Sequence, residues 1–313
     1  MIPYLPMLAT KADPVPVGEE WVHEVKWDGV RTIAQVGASG PGADDGVATW
    51  TRNGNSSTLA WPDVVAAAPD ADLVVDGEVI ALNGAGLPDF RVLQERMHVR
   101  RAATAARLAS GLPATFMVFD LLRLEGEDLT GRPLLERRAL LAEALAGSGW
   151  AVPEHYDDGA MLLEATRSQG LEGVVAKRRT STYRPGERSP HWRKLAHRHR
   201  GSYVVGGWRP QEGSTDRLAA LLVGEPTPDG LAYRGRVGSG IGPRASRRLT
   251  ALVTGLGRGT SPFADEVPRV DATGTTWVEP VLVVDVETHG SGHTRLRQPS
   301  LVAVRTDLAP DDL

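Results

Sequence analysis

The sequence predicts an α+β protein of two domains. Antiparallel sheets with helices are expected over residues 1–198, and a small β-barrel such as an OB-fold over 199–313. Three observations predict this. The chain has 313 residues, about two domains by length. Hydrophobic residues make up 41%, enough to bury a real core. The texture also changes near residues 196–201: before them strand-like and helical runs mix, and after them short strand-like runs are separated by Gly/Pro turns.

Taken in order, WVHEVKWDGVRTIAQV (21–36) predicts two strands around an Asp28-Gly29 turn. ADLVVDGEVIAL (71–82) and ATFMVFDLL (114–122) predict strands. PDFRVLQERMHVRRAATAARLAS (88–110) predicts a helix, as does LLERRALLAEALAGSG (134–149), which ends at glycine. LEGVVAKR (171–178) predicts another strand. Beyond residue 200, YVVGGWRP, RLAALLVGE, LAYRGRVGSG, WVEPVLVVDVETHG and LVAVRTD give five strands, with PRASRRLTALVTGL as the one helix among them. Five strands and a helix in about 110 residues suit a small barrel.

Composition excludes several classes. With no cysteine there is no disulfide scaffold, no Cys-ligated zinc and no thiol nucleophile. No apolar run approaches the ~18 residues of a membrane span. The opening MIPYLPMLATKADPVP has neither a basic start nor a continuous apolar stretch, so no signal peptide and a cytoplasmic location are expected.

Charge is more informative in its distribution than in its sum of -4. Only Lys11, Lys26, Lys177 and Lys194 are lysine, against 31 arginines. A lysine amine can lose its proton and act as a nucleophile, which arginine cannot do. From Lys177 to Arg209 there are ten Lys/Arg residues and one acid, Glu187. Such a basic belt on an acidic chain suits a polyanion contact. His191, His197 and His199 lie in that belt; without cysteines or a fourth ligand they match no standard zinc set and count as part of it.

The chemistry-bearing residues begin with Glu24-Val25-Lys26-Trp27-Asp28-Gly29-Val30-Arg31. On a strand, Glu24 and Lys26 share a face. Gly29 permits a tight turn and a close approach of backbone to a ligand. A lysine among carboxylates keeps its charged form, so a nucleophilic Lys26 needs positive charge nearby, such as a divalent cation or the basic belt. Further along come Thr51-Arg52-Asn53-Gly54, Asp76-Gly77-Glu78, Phe119 within MVFDLL, Glu172-Gly173-Val174-Val175-Ala176-Lys177 and Trp192-Arg193-Lys194.

In this order and spacing the motifs resemble the covalent nucleotidyltransferase superfamily of ligases and capping enzymes. They resemble ATP-dependent DNA ligases most, and among those the ligase domain of the bacterial end-joining type, ligase D. The likeness runs from residue 24 to about 307. It implies an adenylation (nucleotidyltransferase) domain followed by an OB-fold domain, and a DNA ligase that seals 5′-phosphate/3′-hydroxyl nicks or ends. By this resemblance Lys26 attacks the α-phosphate of ATP, forms lysyl-AMP and expels pyrophosphate. Glu24 contacts the adenine; Arg31 and Arg52 hold phosphate and ribose; Glu78 binds ribose, metal or both. Phe119 stacks on the base and Val175 lines its other face. Glu172, with Glu78, holds Mg2+ or Mn2+, and Lys177 and Lys194 neutralise the phosphates. Arg297 and Arg305, in Arg295-Leu296-Arg297-Gln298-Pro299 and Arg305-Thr306-Asp307, match the motif that orients the leaving pyrophosphate.

Trp208, Arg209, Arg234 and Arg236 are the candidate DNA-facing groups of the barrel. The expected partner is nicked or broken double-stranded DNA, bound by a monomer, with a Ku-type end-binding protein and separate polymerase and nuclease proteins in support. Ala196 and Leu308 stand where the family usually carries lysines, and Arg193 or Arg198 is the candidate substitute for the first. RNA ligase, a GTP-using capping transferase, or a catalytically impaired DNA-binding homologue are the alternatives.

Overall fold

The structure is a computed structural model that describes residues 2–37, 44, 46–211, 213, 217–289 and 294–313. The chain divides into two compact units, residues 1–196 and 197–313.

The first unit holds two sheets. One has the order β1-β9-β8-β2, formed by β1 (Leu8–Lys11), β2 (Trp21–Val25), β8 (Gly173–Arg178) and β9 (Arg188–Ala196). The other has the order β4-β3-β5-β6-β7, formed by β3 (Val30–Val36), β4 (Val47–Thr51), β5 (Leu73–Ile80), β6 (Thr115–Leu124) and β7 (Glu127–Asp128). The helices of this unit are α1 (Pro62–Ala66), α2 (Phe90–Met97), α3 (Ala102–Gly111), α4 (Leu134–Ala144) and α5 (Gly159–Ser168).

The second sheet is buried on both faces, which is why LVVDGEVI reads as an almost continuous apolar run. On one face Val75, Val79, Phe116, Val118 and Leu121 pack with Trp61 and Trp150. On the other, Ile33, Val74, Phe119 and Leu122 meet Met7, Tyr183 and Trp192. Trp192 belongs to β9, so this second cluster is what packs the two sheets together. Truncating a buried aromatic of this kind costs about 3–5 kcal/mol.

Two expectations are corrected here. The run 21–36 is not a hairpin. β2 pairs with β8, whereas β3 pairs with β4 and β5. The reason lies at Gly29, where an added Cβ would fall 2.2 Å from the Val79 carbonyl oxygen. The missing side chain lets the chain leave one sheet and press against β5 of the other. The close approach expected of Gly29 is thus to protein backbone. The run 88–110 is also not one helix but α2 and α3. Arg96, 1% exposed, donates to Ala60 O, Asp63 and Leu112 O. In one continuous helix Leu112 would lie about 24 Å from Arg96 at 1.5 Å per residue, so the chain must turn back to satisfy the buried guanidinium.

The second unit contains β10 (Arg198–Pro210), β11 (Leu218–Thr227), β12 (Gly230–Val237), α6 (Pro243–Val253), α7 (Arg269–Ala272), β13 (Thr276–His289) and β14 (Ser300–Arg305). Gly290, at the end of the expected fourth strand, lies outside the described residues. Its sheet order is β12-β11-β10-β13-β14. A parallel bridge between Ser239, just past β12, and Ser300, at the start of β14, joins the two edges of the curled sheet. Leu249 and Val253 of α6 enter its core with Val205, Leu221, Val223 and Val284. This is the OB-like barrel that the strand count predicts.

Candidate active site

Side-chain parity builds the site in the first unit. On β9, Arg188, Trp192 and Lys194 alternate onto one face; Val175 and Lys177 do so on β8, and Glu24 on β2. Glu24 pairs across the ladder with Val175, and Val175 with Lys194. Lys26 lies one residue past the end of β2, yet its N–H still donates to Gly173 O at 2.8 Å. Gly173 has φ of 145° and approaches so closely that a Cβ would sit 2.1 Å from Leu195 O. The second sheet contributes Arg31 on β3 and, directly opposite, Glu78 on β5. Phe119 falls where the β5–β6 register slips, between the Asp76–Asp120 and Gly77–Val118 pairs. A bulge of this sort re-aims its side chain.

These residues enclose one cavity of about 200 Å³. Its walls include Glu24, Lys26, Arg31, Arg52, Glu78, Phe119, Val175, Lys177 and Lys194, so nine of the sequence-predicted residues come together. Glu172 stands beside it, with an oxygen 2.5 Å from Lys26 Nζ. Arg297 and Arg305 belong to the second unit. There Arg305 pairs with Asp307 at 2.7 Å and lies 3.4 Å from buried Asp285.

The electrostatics are strong because the groups are half-buried. Arg31 grips Asp76 with two hydrogen bonds of 2.6 Å and donates to Met7 O, while its guanidinium lies 4.7 Å from the Phe119 ring centroid. Lys177, expected at the phosphates, lines the cavity while only 2% exposed. Its Nζ is 2.7 Å from Glu24 and 4.3 and 4.4 Å from the rings of Phe119 and Trp192. Burial is the main cause that lowers the Lys177 pKa, against the pull of Glu24. Lys194 is also lowered, first by burial and then by Lys26, Arg188 and Arg52. Glu78 is pushed up to about 8, chiefly by burial and further by Glu172 and Asp76, with Arg31 and Lys26 opposing.

The raised Glu78 pKa has a consequence for stability. The folded chain holds this proton more tightly than the unfolded chain, so stability falls as pH rises from the ordinary carboxylate range to about 8. For a half-buried group screened by solvent the loss is about 1–2 kcal/mol. Glu78→Gln is expected to flatten this decline. Melting temperature of both forms, followed from pH 5 to pH 8.5, checks it: the curves should diverge by a few degrees at the alkaline end, and parallel curves would refute it.

Sequence reasoning missed Arg188, and it quoted Asp76 and Trp192 in their motifs without giving either a role. The period of two along β9 was available for Arg188 and Trp192. Nothing local marks Asp76 as the holder of Arg31, because that contact joins neighbouring strands 45 residues apart. Arg193 does not fill the place of the lysine missing at Ala196. It lies on the other face, 5.3 Å from the Trp21 ring. Arg198, the other candidate, pairs with Glu287 at 2.9 Å in the second unit. Arg188 instead brings an additional cation to the cavity. Trp208, a candidate DNA-facing group, is partly buried against the barrel core, and His197 of the belt is buried. Arg234 pairs with Glu225 at 2.7 Å, Arg236 with Asp271 at 3.5 Å, and Arg209 donates to Val270 O. Among the described residues no three His, Asp or Glu side chains converge as a metal cluster.

Comparison with known proteins shows the family. The family model described as ATP dependent DNA ligase domain matches residues 6–195, and that described as ATP dependent DNA ligase C terminal region matches 214–308. The chain is 36% identical over 98% of its length to the multifunctional non-homologous end joining DNA repair protein LigD of Mycobacterium tuberculosis, and spans 39% of that protein. It is 36% identical to DNA ligase C of the same organism, over 80% of this chain and 71% of that one. The crystal structure of the ligase domain of M. tuberculosis LigD aligns with a TM-score of 0.55 at 34% identity, covering 99% of this chain and 97% of that one. A Lig E DNA ligase at 18% identity and a TM-score of 0.63 shares the fold. With its two family domains in order and 36% identity over 98% of its length to a protein of that family, the chain belongs to the ATP-dependent DNA ligase family.

Proposed function

We propose that the chain joins a 5′-phosphate to a 3′-hydroxyl in nicked or broken double-stranded DNA through a lysyl-AMP intermediate. The Lys26 amine attacks the α-phosphorus of ATP, a P–N bond forms, and pyrophosphate leaves. The AMP then passes to the DNA 5′-phosphate, freeing the amine. The 3′-hydroxyl oxygen attacks that phosphate, and AMP departs. Covalent catalysis replaces one difficult displacement with easier ones.

One observation carries this reading: the Lys26 amine is held 2.5 Å from Glu172 at the wall of a cavity lined by Arg31, Arg52, Arg188 and Lys194. Those cations offset the carboxylates around the amine and suit a triphosphate. Trp27 and Trp192 also line the cavity. Phe119, Glu24 and Val175 are assigned to the base, Arg31 and Arg52 to ribose and phosphate, and Lys194 to phosphate. Lys177 supports the base end through Glu24. Arg297 and Arg305 are assigned to the leaving pyrophosphate.

A divalent cation fits the donor set, since Mg2+ or Mn2+ is held by one or two carboxylates together with substrate phosphates. Glu78 and Glu172 would hold it, and it would supply charge neutralisation at the phosphates. In the cell the same reading gives a monomer acting on DNA ends in the cytoplasm, beside a Ku-type end-binding protein and polymerase and nuclease activities.

The test is direct. Labelled ATP and labelled GTP are incubated separately with the protein, and intact mass is measured before and after added pyrophosphate. A nicked duplex DNA and a nicked RNA are then offered. Adenylate on the protein, its removal by pyrophosphate and sealing of the DNA nick are expected. A guanylate adduct, or sealing of RNA alone, would move the chain to a capping or RNA-ligase reading. DNA binding without sealing, even of a pre-adenylylated nick, would make it a non-catalytic homologue.

A further inference from the structure

We propose that Arg138 is a positioning residue that sets the preference for adenine. It does so by fixing the Glu24 carboxylate as a hydrogen-bond acceptor at the base end of the cavity. The inference rests on the reading of Glu24 as the adenine contact, and adds to it the group that makes the contact selective.

The geometry begins with Glu24, which is 2% exposed and yet lines the cavity. Its two oxygens are held separately. Oε1 accepts from Arg138 Nη1 at 3.0 Å, and Oε2 accepts from Lys177 Nζ at 2.7 Å. A carboxylate offers about four lone-pair sites, so two remain for a ligand. Arg138 itself is 6% exposed and reaches well beyond Glu24. Nη1 also donates to Phe119 O at 3.2 Å, and Nη2 donates to Pro153 O at 2.5 Å. One guanidinium on α4 therefore ties together β2, the bulge of β6 that aims Phe119, and the segment after Trp150. The same residue sets the position of the proposed base-edge contact and of the proposed base-stacking ring.

This arrangement is a poor device for stability alone. Three charged groups are taken out of water, and Arg138 Nε is left buried without a partner. Apolar residues of similar volume would stabilise the same space at least as well. What the cations achieve is fixed polarity. A carboxylate between two cations accepts hydrogen bonds and does not donate them. Adenine presents a 6-amino donor, which such an acceptor binds. Guanine presents a 6-oxo acceptor, which it repels. A site of this kind discriminates both by the bond it makes and by the clash of like polarity it imposes.

The test compares ATP, GTP and purine riboside triphosphate, which lacks the 6-amino group. Formation of the protein–nucleotide adduct is measured as kcat/KM for the wild type, Arg138→Gln, Arg138→Lys and Glu24→Gln. A hydrogen bond to a charged group predicts a wild-type preference for ATP over purine riboside triphosphate of about 10- to 100-fold. In Arg138→Gln that preference should fall to within about threefold of unity, through a loss of kcat/KM that is larger for ATP than for purine riboside triphosphate, which shares only the stacking contact. Glu24→Gln should lose the preference likewise. Arg138→Lys keeps a charge but not the fork and should fall between. This variant decides the matter if the glutamine form does not fold. A purely structural Arg138 would lower both nucleotides equally, and an equal fall, or a preference retained in Arg138→Lys, overturns the proposal. Absence of any adduct in the wild type would instead overturn the reading of the site on which it rests.

Discussion

Lys26→Arg is expected to abolish the protein–AMP adduct, with at least a ~10⁴-fold loss of adenylylation, while the fold persists. Charge and nucleophilicity can be separated at this position. Arginine keeps the positive charge beside Glu172, and the ion pair it replaces is a partly exposed one, with the two side chains 22% and 18% accessible. Such a pair contributes about 1 kcal/mol or less. The backbone of residue 26 is held by its own N–H bond to Gly173 O, which the substitution leaves in place. A guanidinium stays protonated, however, and cannot offer a lone pair to phosphorus. Intact-mass spectrometry after incubation with ATP checks the loss, and the thermal midpoint checks the fold. A surviving adduct would place the nucleophile elsewhere, with Lys194 the next amine on the cavity wall. An adduct lost together with the fold would make position 26 structural.

How far the sequence foretold this site follows from which contacts are local. Period-two alternation was enough to put Glu24 with Lys26, because neighbours of equal parity share a strand face whatever the sheet does. The order of strands was not legible in the same way. Asp28-Gly29 has the composition of a hairpin turn, and only the proximity of Val79 O to Gly29 shows why the chain crosses between sheets there. Phe119 could be named from its motif, but the bulge that turns it toward the cavity depends on register with β5. The ion pairs that orient the cavity lie furthest from sequence reasoning. Arg138 meets Glu24 across 114 residues, and Tyr183 meets Asp76 across 107. Buried arginines such as Arg96, Arg137 and Arg138 look in sequence like ordinary solvated charges on helices, and only their partners reveal them as fixed parts of the core.

Asp76 shows how much such a partner can matter. Asp76→Ala is expected to cost about 3–5 kcal/mol of unfolding free energy and to raise the KM for ATP. The side chain is 0% exposed and accepts three hydrogen bonds of 2.6 Å, two from the Arg31 fork and one from the Tyr183 hydroxyl. Tyr183 in turn accepts from the Met7 N–H at 2.9 Å. One carboxylate thus ties the segment before β1, the loop before β9 and the start of β3 to β5. Burial and the neighbouring Asp76 hold the Tyr183 hydroxyl protonated, so it remains a donor to that carboxylate. Removing the acceptor strands a buried hydroxyl and frees an arginine whose position the cavity needs. Asp76→Asn keeps one acceptor oxygen but not the charge, and should cost about 1–3 kcal/mol. Urea unfolding of the two variants, read beside ATP titration of adduct formation, checks both halves. Equal losses for Ala and Asn would show that charge alone matters. A loss below about 1 kcal/mol for Ala would mean that Arg31 finds another anchor and that the network is not what holds the two sheets at the cavity.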